Sequence, residues 1–146
     1  MTPACLDRFH PLVRDWFVRT FETPTSPQEL GWPSIAAGRH ALISAPTGSG
    51  KTLAAFLWAI DCLVRTAMEG RLADQTSIIY VSPLKALSND IQKNLWQPLK
   101  AVRQLAEEQG TPLPEIRAAV RTGDTPPKER ESMRRRPPHI LITTPE

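Results

Sequence analysis

The sequence predicts an α/β fold, a parallel sheet flanked by helices and built around a phosphate-binding loop. Three observations predict it. Short apolar runs of strand length alternate with longer stretches of helical period, the pattern of parallel strands joined by crossovers. The stretch A-P-T-G-S-G-K-T, Ala45 to Thr52, lies between one such strand and one such helix. Several of the 15 prolines stand where helices open or strands end, so they do not mark disorder.

The elements follow in order. Phe9, Leu12, Val13, Trp16, Phe17 and Phe21 recur at helical spacing, with Pro11 as the first helical residue. A second helix opens with Ser26 and Glu29 as a capping box and Pro27 at the first helical position. Pro33 is expected to break or kink it, and Gly38 to end it. "HALIS" reads as an apolar strand leading into the phosphate loop. The next helix keeps Leu53, Phe56, Leu57, Ile60, Leu63 and Val64 on one face. "SIIYVS" reads as a second, buried strand. Ser82 and Pro83 open a long helix whose face carries Leu87, Ile91, Leu95, Leu99, Val102 and Leu105, with a kink or break at Pro98. "EIRAAVRT" and "HILITT" are the third and fourth strands, and "PPKERESMRRRPP" between them is a charged helical turn or loop.

Composition narrows the class. The chain has 146 residues, 40% hydrophobic and 23% charged, which suits one globular domain. No apolar run is long enough to span a membrane, and the N-terminus, with Asp7, Arg8 and Arg14, does not read as a signal peptide. A cytosolic location and no membrane partner are the expectations. Cys5 and Cys62 make no metal spacing; Cys62, in an apolar helical run, reads as a buried thiol. The net charge of +3 fits a nucleic-acid partner without requiring one.

The phosphate loop carries the chemistry. It matches the P-loop pattern except that Ala45 stands at the first glycine position. Gly48 and Gly50 allow the tight turn by which backbone N–H groups, those of Thr47 and Ser49 included, face phosphate oxygens. The following helix presents its positive end to the same phosphates. Lys51 is a mobile point charge for the β- and γ-phosphates, the catalytic candidate, and the Thr52 hydroxyl is the candidate Mg²⁺ ligand.

A P-loop alone names no function, but four further segments do. "FETPTSPQELGWPSIAAGRH" leads into the loop, "YVSPLKALSNDI" follows the second strand, "RTGDTPPKER" follows the third, and "ILITTPE" ends the chain. In this order, from about Phe9 to Glu146, they resemble superfamily 2 helicases, most closely the large helicase-related (Lhr-type) group. The resemblance implies the first RecA-like domain of a P-loop NTPase. Residues 1–38 would be N-terminal helices with an adenine-recognition segment, and residues 39–146 the N-terminal part of the ATP-binding domain. It implies that Gln28, after Pro24 and Thr25, pairs with adenine, an amide donating and accepting at once. A stacking aromatic is also implied, and spacing leaves Phe9, Phe17 and Phe21 open for it. It implies backbone contacts to a nucleic-acid strand from Pro83, Lys85, Thr122, Gly123, Thr143 and Thr144, with single-stranded DNA as the track and RNA or a DNA–RNA hybrid left open. Movement 3′-to-5′ and a link to DNA repair are implied in the same way.

The family's Asp-Glu pair has no counterpart here, for Asp61, Asp74, Asp90 and Asp124 do not follow a buried strand. The expectation is a fold incomplete at its C-terminal end, the N-terminal fragment of a longer helicase that binds ATP poorly and hydrolyses it negligibly alone. The remainder of that helicase is the missing partner. A non-enzymatic remnant binding ATP or nucleic acid is the alternative, and an RNA helicase another. A small-molecule kinase or transporter ATPase shares the P-loop but does not need the other four segments.

Overall fold

The computed structural model describes residues 1–83 and 88–145. A short 3-10 helix (Ala4–Arg8) precedes α1 (Pro11–Phe21), α2 (Ser26–Ala36) and α3 (Lys51–Met68). Then come β1 (Ile78–Val81), α4 (Ser88–Ile91), a π turn (Gln92–Trp96), α5 (Gln97–Glu108), β2 (Ala118–Arg121), α6 (Pro127–Arg135) and β3 (Ile140–Thr143). Among the described residues the sheet has three strands in the order β1-β3-β2, all parallel. Ile78 and Ala118 both align with Ile140, and Val81 and Arg121 both with Thr143. The parallel α/β class is borne out.

The first strand is not. Residues 40–44 form no regular element and pair with no strand among the described residues, and Leu42 is 96% exposed. A strand exists only through a neighbour's hydrogen bonds, and an apolar run does not supply one. β1 is likewise not buried on both faces: burial alternates along it, leaving Ile79 and Val81 exposed.

Helix boundaries show other shifts. Thr25, not Ser26, caps α2. The Thr25 side chain caps the N–H of Gln28, whose own amide oxygen accepts from the Thr25 N–H at 3.0 Å, so the capping box lies one residue before the expected one. α2 runs on through Pro33. The proline sits near the C-terminal end and costs one ladder bond, while fully buried Trp32 beside it anchors the turn. Gly38 ends the helix as expected, at φ +72°, with Arg39 N–H donating to Ser34 O in a Schellman closure. The kink expected near Pro98 takes the form of the π turn. Gln97 N–H reaches back five residues to Gln92 O, opening the ladder just before the proline ring would meet a carbonyl. The start of that helix at Pro83 cannot be followed, since residues 84–87 lie outside those described. Cys62 is only half-buried, correcting the buried thiol.

α3 is the structural axis. Its buried face, with Leu57, Ile60 and Val64, belongs to one core with Val102 and Ala106 of α5 and Ile140 and Ile142 of β3. The N-terminal helices join it through aromatic edges: Phe9 meets Trp32 at 4.8 Å and Trp58 at 5.5 Å. The Trp32 indole N–H donates to Ala54 O of α3 at 2.9 Å. Asp61 is fully buried in α3; its carboxylate accepts the His10 backbone N–H at 2.6 Å and Arg65 Nε at 2.7 Å. Arg65 also donates to Arg8 O at 2.6 Å, so one ion pair fixes the start of α1 onto α3.

The opposite end of the sheet is closed by polar bonds. Buried His139 accepts the Arg117 N–H at Nδ1 (2.9 Å), and the Thr76 hydroxyl donates to Pro138 O (2.7 Å). Arg117 bonds Asp74 at 2.7 Å and Pro137 O at 3.0 Å, and the guanidinium holds the Asp74 carboxyl below the usual carboxylate range.

Burial pushes His139 below the ordinary imidazole range, with the Arg117 and Arg136 charges adding and the Ala73 carbonyl and Asp74 opposing. Burial lowers His10 too, against the pull of Asp61 and with Arg65 adding. Below about pH 6.5 the unfolded chain therefore binds more protons than the folded one, and stability falls as pH drops through that value. Urea midpoints should be lower at about pH 5.5 than at about pH 7.5. The variant His10→Asn/His139→Asn keeps acceptors that do not titrate and should narrow the gap. An equal gap in that variant would clear both histidines of the effect.

Candidate functional site

The loop after residue 44 turns through a Ser49 N–H to Pro46 O bond of 3.2 Å. Gly48 and Gly50 lie at φ +81° and +80°, a left-handed conformation that only glycine adopts at little cost. Gly50 caps α3 without a side-chain acceptor, and the first ladder bond is Ala54 N–H to Gly50 O. The N–H groups of the first turn of α3 thus have no partner within the helix and form a ready donor set for an anion.

Beside them opens a cleft of about 400 Å³. It gathers Gln28, Thr47, Gly48, Gly50, Lys51 and Thr52, all expected from sequence to serve a nucleotide. Ser49 is the exception: it does not line this cleft, its hydroxyl donates to Pro46 O, and its carbonyl accepts from Thr25 Oγ1 at 2.7 Å. Lys51 is curled back, its ammonium donating to Ala45 O at 2.7 Å. Gln28 is buried; its amide nitrogen donates to Gly50 O at 3.1 Å. A β-carbon on Gly50 would stand 2.5 Å from that nitrogen, so glycine is required there by contact as well as by φ.

The structure separates the three candidate aromatics. Phe9 and Phe17 are buried in the core, while Phe21 is exposed and lines the cleft, braced by Trp16 at 5.8 Å and Phe17 at 5.2 Å. A γ-turn places it: Thr23 N–H bonds Phe21 O at 2.6 Å across Glu22, at φ +62° and ψ −58°. That conformation is strained for a residue with a side chain. Asp90, Lys93 and Asn94 form the remaining wall. Sequence reasoning missed them, as it missed the γ-turn. They stand at i, i+3 and i+4 on the polar side of a helical run, and only the fold brings that side to the loop.

The candidate strand-contact residues meet at the C-terminal ends of the strands. Register aligns Val81, Thr143 and Arg121, so Pro83, Thr122, Gly123 and Thr144 follow from adjacent strand ends. The turn after β2 is held by Arg130, which donates to Thr122, Gly123 and Thr125 carbonyls at 3.4, 2.7 and 2.7 Å. The Thr143 hydroxyl donates to Arg121 O at 2.6 Å, and the Thr144 hydroxyl is buried without a partner among the described residues. Lys85 lies outside the described residues.

A family model described as DEAD/DEAH box helicase matches residues 25–146. The chain belongs to this helicase family. Within it, the chain is similar to Lhr-type proteins. It is 51% identical over 141 residues to a Lhr helicase/probable uracil glycosylase of Mycolicibacterium smegmatis, covering 97% of the chain and 9% of that protein. It is 56% identical over 137 residues to the ATP-dependent helicase Lhr-Core of Methanothermobacter thermautotrophicus, covering 94% of the chain and 16% of that protein. Its fold matches the Mycobacterium smegmatis helicase Lhr bound to ssDNA and AMP-PNP with a TM-score of 0.87 and 48% identity, covering 98% of the chain and 18% of the other. The chain thus spans less than a fifth of each of these helicases.

The crowding at Gly50 yields a test. Gly110 shares its sign of φ (+73°) but faces open space. Gly110→Ala should cost about 1 kcal/mol in urea unfolding, the cost of a β-carbon at positive φ. Gly50→Ala should cost about 2–3 kcal/mol, because it also breaks the buried Gln28 bond. Equal costs would show that the contact adds nothing.

Proposed function

We propose that this chain is the nucleotide-binding part of an Lhr-type helicase, which couples ATP binding and hydrolysis to movement along single-stranded DNA. The observation that carries it is the meeting of phosphate loop and Gln28 in one cleft. Residues 1–38 would supply the base-recognition segment and residues 39–146 the N-terminal part of the ATP-binding domain. The 3′-to-5′ sense, a repair role and a cytoplasmic setting come with the Lhr-type likeness. Among the described residues no helix is long and apolar enough to cross a membrane.

The residues fit a nucleotide. Positive-φ Gly48 and Gly50 leave the backbone uncovered, and the N–H groups of Thr47, Gly48, Gly50, Lys51 and Thr52 would be donors for phosphate oxygens. When bound, ATP with Mg²⁺ supplies the phosphoanhydride bond whose hydrolysis drives the cycle. Lys51 would leave Ala45 O for the β- and γ-phosphates and act as the catalytic cation, and the Thr52 hydroxyl would ligate Mg²⁺. Gln28 would hold adenine through the second N–H and second lone pair of its amide, the first of each being held by Gly50 O and Thr25 N–H, with Phe21 as the stacking face. Ser49 would join the loop donors by exchanging its N–H from Pro46 O to phosphate, since its hydroxyl is turned to that same carbonyl. Pro83, Lys85, Thr122, Gly123, Thr143 and Thr144 would line the strand path, touching phosphate and sugar and leaving base sequence unread.

Lys51→Ala should abolish ATP binding in a nucleotide titration. Unchanged affinity would refute the nucleotide assignment. Affinity for single-stranded DNA should be tolerant of sequence and fall with salt, each neutralised phosphate adding about −0.7 to the slope of log affinity on log salt. A flat salt profile would refute the backbone-contact reading.

A further inference from the structure

We infer that Lys93, in the π turn, is a second cationic contact for the nucleotide's polyphosphate; the inference rests on the nucleotide reading above. Ile91 and fully buried Leu95 sink this turn into the core, so the face that carries Asp90, Lys93 and Asn94 is held rigidly against the cleft. Pro98 accounts for an opening of the helical ladder, and the ladder opens where Lys93 and Asn94 meet the cleft. π turns recur at functional sites because they turn side chains out of regular helical register.

The charges favour phosphate over base or ribose. Lys51 and Lys93 are the cations lining the cleft, and Asp90 the carboxylate. Asn94 donates to Asp90 twice, to its carboxylate at 2.9 Å and its carbonyl at 3.0 Å, which engages the acid one turn before Asn94. Lys93 is exposed and has no ion pair or hydrogen bond among the described residues. A lysine on a flexible four-carbon stem is a point charge suited to phosphate oxygens. Lys51 serves the loop side of the cleft and Lys93 the wall formed by the π turn.

The test is a set of titrations of this chain with ATP and adenosine, followed by NMR, for the natural chain, Lys93→Ala, Lys93→Arg and Lys51→Ala. Lys93→Ala should weaken ATP binding about five- to tenfold, the size of one partly solvated charge-assisted hydrogen bond, and leave adenosine unchanged. Lys93→Arg should bind ATP like the natural chain. Lys93→Ala binding ATP as well as the natural chain, or losing ATP and adenosine equally, overturns the inference. If Lys51→Ala binds ATP as well as the natural chain, the nucleotide reading itself has failed and takes this inference with it. Lys93 is exposed, so both Lys93 variants should melt with the natural chain.

Discussion

One buried amide ties the phosphate loop to the helix that precedes it. The Gln28 oxygen closes the cap of α2 on Thr25 N–H, and the Gln28 nitrogen grips Gly50 O where α3 begins. Two helix starts are thereby fixed to each other through a single side chain. Leaving such a buried amide unpaired costs about 1–3 kcal/mol, so the two bonds hold or fail together. One turn further along both helices, Trp32 repeats the stitch by donating to Ala54 O. Thr25 adds a bond to Ser49 O. The loop's shape is therefore a property of α2 as much as of its own glycines.

α3 carries the other walls. A carboxylate as deeply buried as Asp61 is tolerated only when fully paired, and its partners are the first turn of α1 and Arg65. That pairing sets the start of α1, whose far end delivers Phe21 to the cleft. The π turn packs on α3 as well, bringing Lys93 and Asn94. Cleft geometry thus depends on how each surrounding element docks on one helix.

Local chemistry was legible from sequence and tertiary context was not. The phosphate loop could be read because glycine and lysine at fixed spacing answer a local demand. Amphipathic helices could be read because their period survives any packing. Residues 40–44 were misread because a strand is defined by its neighbour. The capping box was misplaced because Thr25 with Gln28 and Ser26 with Glu29 fit the same pattern, and the bond from Gln28 to Gly50 lies 22 residues away. Asp61 was judged only as a catalytic candidate, yet its partner His10 lies 51 residues away. The wall made by Asp90, Lys93 and Asn94 had no local signature at all.

The bond from Lys51 to Ala45 O makes the loop its own competitor. The ammonium is never bare: a ligand exchanges one oxygen for another instead of capturing a solvated cation. Such an exchange is close to neutral for a weak acceptor and favourable only for a strongly anionic one. The carbonyl of Ala45 therefore biases the ammonium toward acceptors that carry charge over neutral ones.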